Sequence, residues 1–288
     1  MDMESATRDL LPGIDSLLAR VYEQSKLDFQ EYRRGTVVRR LERRLRASGS
    51  RNCLEYMDFL DSHPDEYRRL AEELTIKVSG FFRSPYSCQK VTGYVLPELL
   101  RYKESTGDRR LKFWSAACAR GEEPYSIAIM LAEFLGERRR DFAVTIYATD
   151  ISPSALAAAQ AGRYSPDELA GLPPAMLPKY FTPCPKDGYE ISPDIRRMVR
   201  FSEFDLTSSS PPGFAGVDGI LCCNVLIYFQ KRLQERVLNM LYESLAVPGY
   251  LILGEVETPT VNLSSKLDCL DGKASIYKKQ TMTQGDCR

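Results

Sequence analysis

Residues 111–126 read LKFWSAACARGEEPYS, and this stretch decides the fold of the larger part of the chain. The apolar run Leu111–Ser115 predicts a strand, and the small residues after it predict a close turn. Pro124 then lies in the first turn of a predicted helix over Pro124–Arg139. A strand, a tight turn and a helix in this order indicate an α/β domain with a largely parallel sheet.

The same alternation continues towards the C-terminus. Runs rich in Val, Ile and Tyr predict further strands, and Ala-rich or amphipathic stretches between them predict helices. We expect Pro248-Gly249 to end the last long helix. The predicted strands are Ala143–Thr149, Val217–Cys223, Tyr250–Gly254 and a closing strand Ser275–Lys278, and the predicted helices are Pro153–Ala161 and Gln230–Ala246.

The segment from Arg163 to Phe204 fits this alternation poorly, because it is rich in proline. Aromatic and branched residues persist through it, which favours a folded insertion over a linker. Its second half has two strand-like pieces around Ser192-Pro193-Asp194. We therefore predict an inserted small β-subdomain over about residues 163–204.

Residues 1–85 carry the periodicity of helices and few strand signals. Two apolar stripes have helical spacing, and together they predict a small all-helical N-terminal domain. We expect residues 86–110 to form a linker helix and residues 111–288 to form the α/β domain. The stripes consist of Leu17, Leu18 and Val21, and of Val37, Val38, Leu41 and Leu45.

Composition excludes several kinds of chemistry. Lys+Arg 39 balance Asp+Glu 39, which removes the whole-chain argument for nucleic-acid binding, and the single histidine His63 cannot build a His-rich metal centre. We predict no metal site. The eight cysteines contain no C-x-x-C pair, the first residues are acidic, and no apolar run approaches the ~20 residues of a membrane span. These features predict a soluble, cytoplasmic protein with reduced thiols.

Positive charge is concentrated in one short segment. Between Glu31 and Arg51 there are eight arginines against two acids. On a helix whose apolar stripe includes Leu41, several of these arginines project to the opposite side. This pattern fits either a solvated helix face or a docking surface for an acidic partner, protein or nucleic acid. The candidate docking residues are Arg39, Arg40, Arg43, Arg44 and Arg46.

The loop after the first strand indicates a ligand site, because open α/β sheets bind ligands at the carboxyl ends of their strands. Asp150 ends the second strand, where an acid accepts hydrogen bonds from ribose hydroxyls. No G-x-G-x-x-G or P-loop is present, and Glu122 and Glu123 would repel phosphates. A cationic adenosyl ligand such as S-adenosylmethionine (SAM) suits this site. The alternative is that both glutamates are ordinary acids at a helix N-terminus.

Four strings of sequence resemble one known family, the CheR-type chemoreceptor methyltransferases, in both order and spacing. The resemblance covers essentially the whole chain. It implies a Rossmann-like, SAM-dependent methyltransferase domain that esterifies glutamates of methyl-accepting chemotaxis proteins in the bacterial cytoplasm, with the enzyme acting as a monomer. The strings are Ser79–Arg83, Trp114–Ser126, Ala148–Ile151 and Cys223–Phe229.

The resemblance also implies roles for individual residues. Glu123 corresponds to the acid that holds the SAM amino group, Asp150 to the ribose-binding acid, and Tyr228 to the tyrosine beside the methyl-transfer centre. Arg83 and Tyr228 are the implied catalytic residues, and the insertion is similar to a β-subdomain that binds receptor tail peptides in some members. The short Phe181–Gly188 stretch argues weakly against such binding here. The implied cofactor-binding residues are Ser79, Arg83, Ala117, Glu123, Asp150, Ile151, Asp205, Leu206, Cys223 and Asn224.

Three positions depart from the family pattern. Cys223 stands where the family usually has Arg, and Ala117 where it usually has Gly. Ser84 stands where an acid commonly follows the Phe-Phe-Arg string. The loss of a cation and the added methyl group predict an altered affinity for SAM.

The implied chemistry agrees with the shortage of histidine. A glutamate side chain is already ionised at neutral pH, so it attacks an activated methyl group without a general base. Two other functions remain open from the residues: a non-catalytic SAM-binding module that docks on receptors, and a SAM-dependent RNA methyltransferase. The second lacks the two prolines of an N-P-P-Y type motif in Asn224–Tyr228 and an aromatic stacking platform among the arginines, so we expect no nucleic-acid partner.

Overall fold

The computed structural model describes residues 12–184 and 188–280 and divides the chain into two compact units. The first unit extends to Ile76 and includes Tyr228–Gln234. The second comprises Lys77–Ile227 and the residues from Glu235 onward. The acidic first residues and Cys287 lie outside the described residues. In the part that is described, no helix has both the length and the apolar character that crossing a membrane requires.

The first unit is helical, as the sequence predicts. Both predicted apolar stripes are buried, which confirms them. Asn52 begins the third helix by accepting a hydrogen bond from the Glu55 amide at 3.0 Å, and Gly49 ends the second helix with a φ of 75°. The helices are α1 (Ile14–Ser25), α2 (Arg34–Ser48), α3 (Cys53–Ser62) and α4 (Asp65–Leu74).

The boundary between the units lies after Ile76, whereas the sequence predicts it at residue 85. Residues 86–110 are not a linker between two bodies, because they belong wholly to the second unit. Val95 and Leu99 on their inner face are buried in its hydrophobic core. The elements there are α5 (Pro85–Lys90), a π-helical turn (Val91–Val95) and α6 (Leu96–Thr106).

A seven-stranded sheet forms the centre of the second unit, with the strand order β6-β2-β1-β7-β8-β10-β9. Strands β6, β2, β1, β7 and β8 are parallel neighbours, whereas β10 pairs antiparallel with both β8 and β9. This confirms the predicted α/β domain. The strands are β1 (Arg110–Ala116), β2 (Ala143–Asp150), β6 (Val199–Glu203), β7 (Val217–Cys222), β8 (Leu245–Leu253), β9 (Leu267–Asp271) and β10 (Ile276–Lys279).

Helices connect these strands. The helix after β1 begins two residues before the predicted Pro124 and gives way at Gly136 to a 3-10 turn (Gly136–Asp141). The helices are α7 (Glu122–Leu135), α8 (Pro153–Ala161), α11 (Lys231–Ser244) and the short α12 (Val261–Ser264).

The end of α11 corrects one expectation. We predicted a helix to Ala246 that Pro248-Gly249 would end, but α11 ends at Ser244 and both residues lie within β8. A strand tolerates proline there because the pairing of β8 with β7 is irregular at this point, between Val217 and Gly219. The strand β9, which the sequence analysis did not predict, forms the edge that Ser275–Lys278 was expected to close.

The insertion contains its own three-stranded antiparallel sheet, in the order β3-β5-β4. Its boundaries differ from the predicted 163–204, because β6 pairs with β2 and belongs to the main sheet. The separate sheet therefore ends at Ile191. Its elements are β3 (Arg163–Tyr164), α9 (Leu177–Tyr180), β4 (Phe181–Cys184) and β5 (Gly188–Ile191), and α10 (Pro193–Arg196) leads back to the main sheet.

Candidate functional site

A cavity of about 300 Å³ opens at the carboxyl ends of β1, β7 and β8 in the second unit. Its lining combines apolar side chains, among them Val91, Ile127 and Met130, with polar and charged ones. Six of the predicted cofactor-binding residues meet there, although they come from three separate segments of the chain. These six are Ser79, Arg83, Ala117, Glu123, Cys223 and Asn224.

Besides the exposed Glu255, the acid that lines this cavity is Glu123. Its Oε1 accepts a hydrogen bond from the Ser115 hydroxyl at 2.6 Å, and the Cys223 side chain lies beside it. Burial raises the pKa of Glu123 to about 7, and the negative charge of Glu257 acts in the same direction. The Ser115 hydrogen bond and the positive charge of Arg83 oppose the shift without cancelling it.

The loop between β1 and α7 has an unusual backbone that brings main-chain atoms to the cavity. Ala117, Ala119 and Gly121 have φ angles of 64°, 48° and 93°. Left-handed backbone costs an alanine about 1 kcal/mol relative to glycine. At Ala117 this chain therefore adopts a left-handed conformation at a cost in stability.

Asp150 serves the loop rather than the cavity. It is buried, and its carboxylate accepts hydrogen bonds from the amides of Ala119 at 2.8 Å and Ser152 at 2.9 Å. Asp205 likewise accepts the Thr207 amide at 2.7 Å. Neither residue lines the cavity, and the same holds for the neighbouring Ile151 and Leu206 and for Glu122. The ribose-binding role of Asp150 and the cofactor-binding roles of Ile151, Asp205 and Leu206 stay predictions.

Tyr228 belongs to the first unit, whereas the cavity lies within the second. In the first unit the Tyr228 carbonyl accepts a hydrogen bond from the Arg33 amide at 2.7 Å. The next residue, Phe229, packs edge-on against Tyr32 with ring centres 5.0 Å apart. The catalytic role of Tyr228 stays a prediction.

One residue of the site was missed by the sequence analysis. Glu257 is buried, and its carboxylate accepts hydrogen bonds from the amides of Asn224, Ile227 and Gly254. An acid three residues after the predicted strand Tyr250–Gly254 is the sequence signal that could have indicated it. Its partners could not be found in this way, because two of them lie some thirty residues earlier.

The arginines of α2 divide into two groups, which corrects the prediction of a single free face. Arg44 donates hydrogen bonds to the buried carboxylate of Glu66 at 2.9 and 2.5 Å. Arg40 donates to the Glu73 carbonyl at 2.9 Å, and its side chain is only 16% exposed. Both residues therefore hold α2 to α4, because α4 contains the two glutamates.

The other three candidate arginines are exposed. Arg43 lies 3.2 Å from the Glu73 carboxylate and Arg46 lies 3.4 Å from Glu42, and both pairs are open to solvent on the arginine side. We call Arg39, Arg43 and Arg46 the arginine trio. The trio is the part of the predicted docking surface whose charge is presented outward.

The cavity residues fit SAM. Glu123 has no ion-pair partner within residues 12–184 and 188–280, and a buried carboxylate of this kind is stabilised by a cation such as the ammonium of SAM. Ala117, in its left-handed conformation, lines the same cavity. A parallel sheet with such a site at its carboxyl edge defines the class, a SAM-dependent methyltransferase.

Comparisons with known proteins identify the family. Residues 77–276 match "CheR methyltransferase, SAM binding domain" and residues 12–75 match "CheR methyltransferase, all-alpha domain". The chain belongs to the CheR methyltransferase family, which confirms the resemblance, and its cofactor is SAM.

Individual relatives are similar along most of the chain. The chemotaxis protein methyltransferase of Borreliella burgdorferi is 30% identical over 247 residues, which cover 85% of this chain and 87% of that protein. Chemotaxis protein methyltransferase 1 of Pseudomonas aeruginosa is 34% identical over 229 residues, 77% of this chain and 81% of the relative. An uncharacterized 104.1 kDa protein of Rhodobacter capsulatus is 33% identical over 266 residues, which cover 91% of this chain and 27% of that protein.

Proposed function

We propose that this enzyme transfers the methyl group of SAM to glutamate side chains in the cytoplasmic domains of chemoreceptors. Two of the relatives named above, those of Borreliella burgdorferi and Pseudomonas aeruginosa, are chemotaxis protein methyltransferases, which supports a receptor substrate. The reaction takes place in the bacterial cytoplasm and produces a methyl ester and S-adenosylhomocysteine.

The observation that carries this proposal is the pairing of opposite charges in one cavity. Glu123 supplies a carboxylate for the cationic cofactor, and Arg83 supplies a guanidinium for an anionic substrate. Arg83 is exposed, and its Nη1 donates one hydrogen bond to the Val78 carbonyl at 3.2 Å. Its remaining donors are suited to a bidentate interaction with a substrate carboxylate.

The chemistry needs positioning more than proton transfer. SAM supplies a methyl group on a sulfonium, which is an electrophile with a neutral thioether leaving group. A substrate carboxylate oxygen forms the new bond to the methyl carbon, the bond between carbon and sulfur breaks, and sulfur retains the electron pair. No proton moves, so Arg83 has only to hold the carboxylate in line and the cavity has only to exclude water.

The position of the single histidine agrees with this chemistry. His63 follows the end of α3 in the first unit, and its ring stacks on Phe59 with centres 4.1 Å apart. Its Nδ1 lies 3.0 Å from the Phe59 carbonyl oxygen. It is therefore occupied by local contacts, as expected of a histidine with a structural role.

The experiment uses the full chain, SAM with a labelled methyl group, and purified cytoplasmic fragments of chemoreceptors. We expect label to appear on the receptor fragment as a base-labile ester. Arg83→Ala is expected to keep SAM affinity within about threefold, because Arg83 is assigned to the substrate, and to lower transfer at least about 100-fold.

Arg101→Ala is the matched control. Arg101 is also an exposed arginine of the second unit that donates to a backbone carbonyl, that of Pro97 at 3.3 Å, but it lies outside the cavity lining. Its replacement is expected to leave transfer unchanged. Base-stable label, label on RNA, or SAM binding without any transfer would each overturn the proposed reaction.

A further inference from the structure

Two turns form one wall of the cofactor cavity. The turn after β7 contributes Cys223 and Asn224, and the turn after β8 contributes Gly254. Asn224 has a φ of 59°, a left-handed conformation that is unfavourable for most residues and tolerated by asparagine. Since each turn follows a different strand, contacts between the turns have to fix their separation.

The carboxylate of Glu257 connects these turns. Its Oε2 accepts the amides of Asn224 and Gly254, both at 2.8 Å, and its Oε1 accepts the Ile227 amide at 3.2 Å. The residue is 4% exposed. The three amide donors stabilise a buried negative charge that has no ion pair with a lysine or arginine in the described ranges 12–184 and 188–280.

Gly254 permits this close arrangement. A Cβ atom on Gly254 would lie 2.7 Å from the Glu257 Oε2 and 2.9 Å from the Asn224 nitrogen. Both distances are shorter than a carbon atom tolerates without displacement of its neighbours. The turns thus meet at a position where only glycine leaves room for the carboxylate.

The charge of Glu257 also reaches Glu123. It raises the pKa of Glu123, adding to the larger effect of burial. Arg83, on the segment before α5, has the opposite effect. The groups that interact electrostatically with Glu123 include Arg83, Cys88, Cys118, Cys222, Cys223 and Glu257, and the exposed carboxylate of Glu255 also lines the cavity.

We propose that Glu257 is a positioning residue of the cofactor site, which fixes the Asn224 turn against the Gly254 turn and keeps a second negative charge behind the cavity wall. The first effect holds a lining residue in its left-handed conformation. The second favours a cation in the cavity. The proposal concerns SAM binding alone, so it is tested separately from the proposed substrate.

The test is Glu257→Gln, with SAM affinity measured by calorimetry between pH 6 and pH 8. A glutamine oxygen in the place of Oε2 keeps the Asn224 and Gly254 amides paired, so only the Ile227 hydrogen bond and the charge are lost. At pH 8 we expect SAM to bind about tenfold more weakly. In the natural chain, a pKa near 7 for Glu123 makes the SAM affinity about tenfold lower at pH 6 than at pH 8. In the variant the pKa of Glu123 decreases, so we expect this difference in affinity to be about threefold or less.

Asp218→Asn is the matched control. Asp218 is also a buried acid of the second unit, and it accepts the Lys112 amide at 2.8 Å at the start of β7, away from the cavity. Its replacement is expected to lower the melting temperature without changing SAM affinity or its pH dependence. The Glu257 proposal is overturned if Glu257→Gln binds SAM as the natural chain does. It is also overturned if the variant loses stability alone, with the tenfold pH effect intact.

Discussion

Replacement of Arg44 by alanine should weaken the first unit, because Arg44 neutralises a buried acid. Glu66 is 3% exposed, and its Oε1 accepts hydrogen bonds from Arg44 and from the Tyr56 hydroxyl at 2.7 Å. Breaking a buried ion pair costs about 3–5 kcal/mol. Arg44 keeps 22% of its surface exposed and Arg69 remains 3.7 Å from Glu66, so we expect about 2–3 kcal/mol.

Hydrogen exchange followed by mass spectrometry measures this effect in the full chain. A loss of 2–3 kcal/mol corresponds to exchange roughly 30- to 160-fold faster for the amides of α2 and α4 that open with this unit. Arg43→Ala is the control on the same helix, since its side chain is 61% exposed and its pair with Glu73 should contribute about 0–1 kcal/mol. Equal protection in the two variants would show that the buried pair does not stabilise the unit as argued.

This result decides how the docking surface has to be tested. Reversal of Arg40, Arg43 and Arg44 together would remove charge and also break contacts that hold α2 to α4. A loss of partner binding in that variant would have two explanations. Reversal of the arginine trio leaves the Glu66 pair and the Arg40 contact intact and breaks only the exposed pairs of Arg43 with Glu73 and of Arg46 with Glu42.

Three further predictions concern Glu123, Gly171 and the arginine trio. The affinity for SAM should fall about tenfold from pH 8 to pH 6, because binding requires the ionised form of Glu123 and the pKa of Glu123 lies near 7. In calorimetry, Glu123→Gln should bind SAM more weakly and lose this pH dependence. Gly171→Ala places a Cβ 2.3 Å from the Phe81 carbonyl oxygen, so it should lower the free energy of unfolding by about 1–3 kcal/mol and slow methyl transfer. Gly213→Ala, whose Cβ meets open space, is the control and should change neither. Glutamate at all three positions of the arginine trio should weaken binding of receptor fragments at least about tenfold in a pull-down and leave the SAM affinity unchanged; unaltered receptor binding would mean that the trio is only a solvated face.

The sequence was sufficient for the elements whose pattern is local. The strand that ends at Ala116, the turn and α7 follow from sixteen consecutive residues, and the structure confirms them. Both helical stripes of the first unit were predicted for the same reason. In each case the apolar spacing within one element determines which face is buried.

Features that depend on a partner elsewhere in the chain were not predictable. The pairing of β6 with β2 moves a strand out of the predicted insertion, and nothing within Val199–Glu203 specifies that partner. Pro248 lies inside β8 because the register of β7 is irregular beside it. Arg44 and Arg43 are adjacent arginines on one helix, yet only Arg44 faces Glu66. Long-range contacts decided all three outcomes.

The donors around each acid are also the reason why we expect Glu123, and not Glu66 or Glu257, to be a binding group. The carboxylate of Glu66 is satisfied by Arg44 and Tyr56, and that of Glu257 by three backbone amides, so neither gains much from a ligand. Glu123 has one hydroxyl donor, the side chain of Ser115, and part of its surface faces a cavity. An incompletely stabilised buried carboxylate gains the most free energy from a bound cation. All three residues are glutamates in the sequence, and the donors that surround each one are the reason why we expect Glu123 to hold the cofactor.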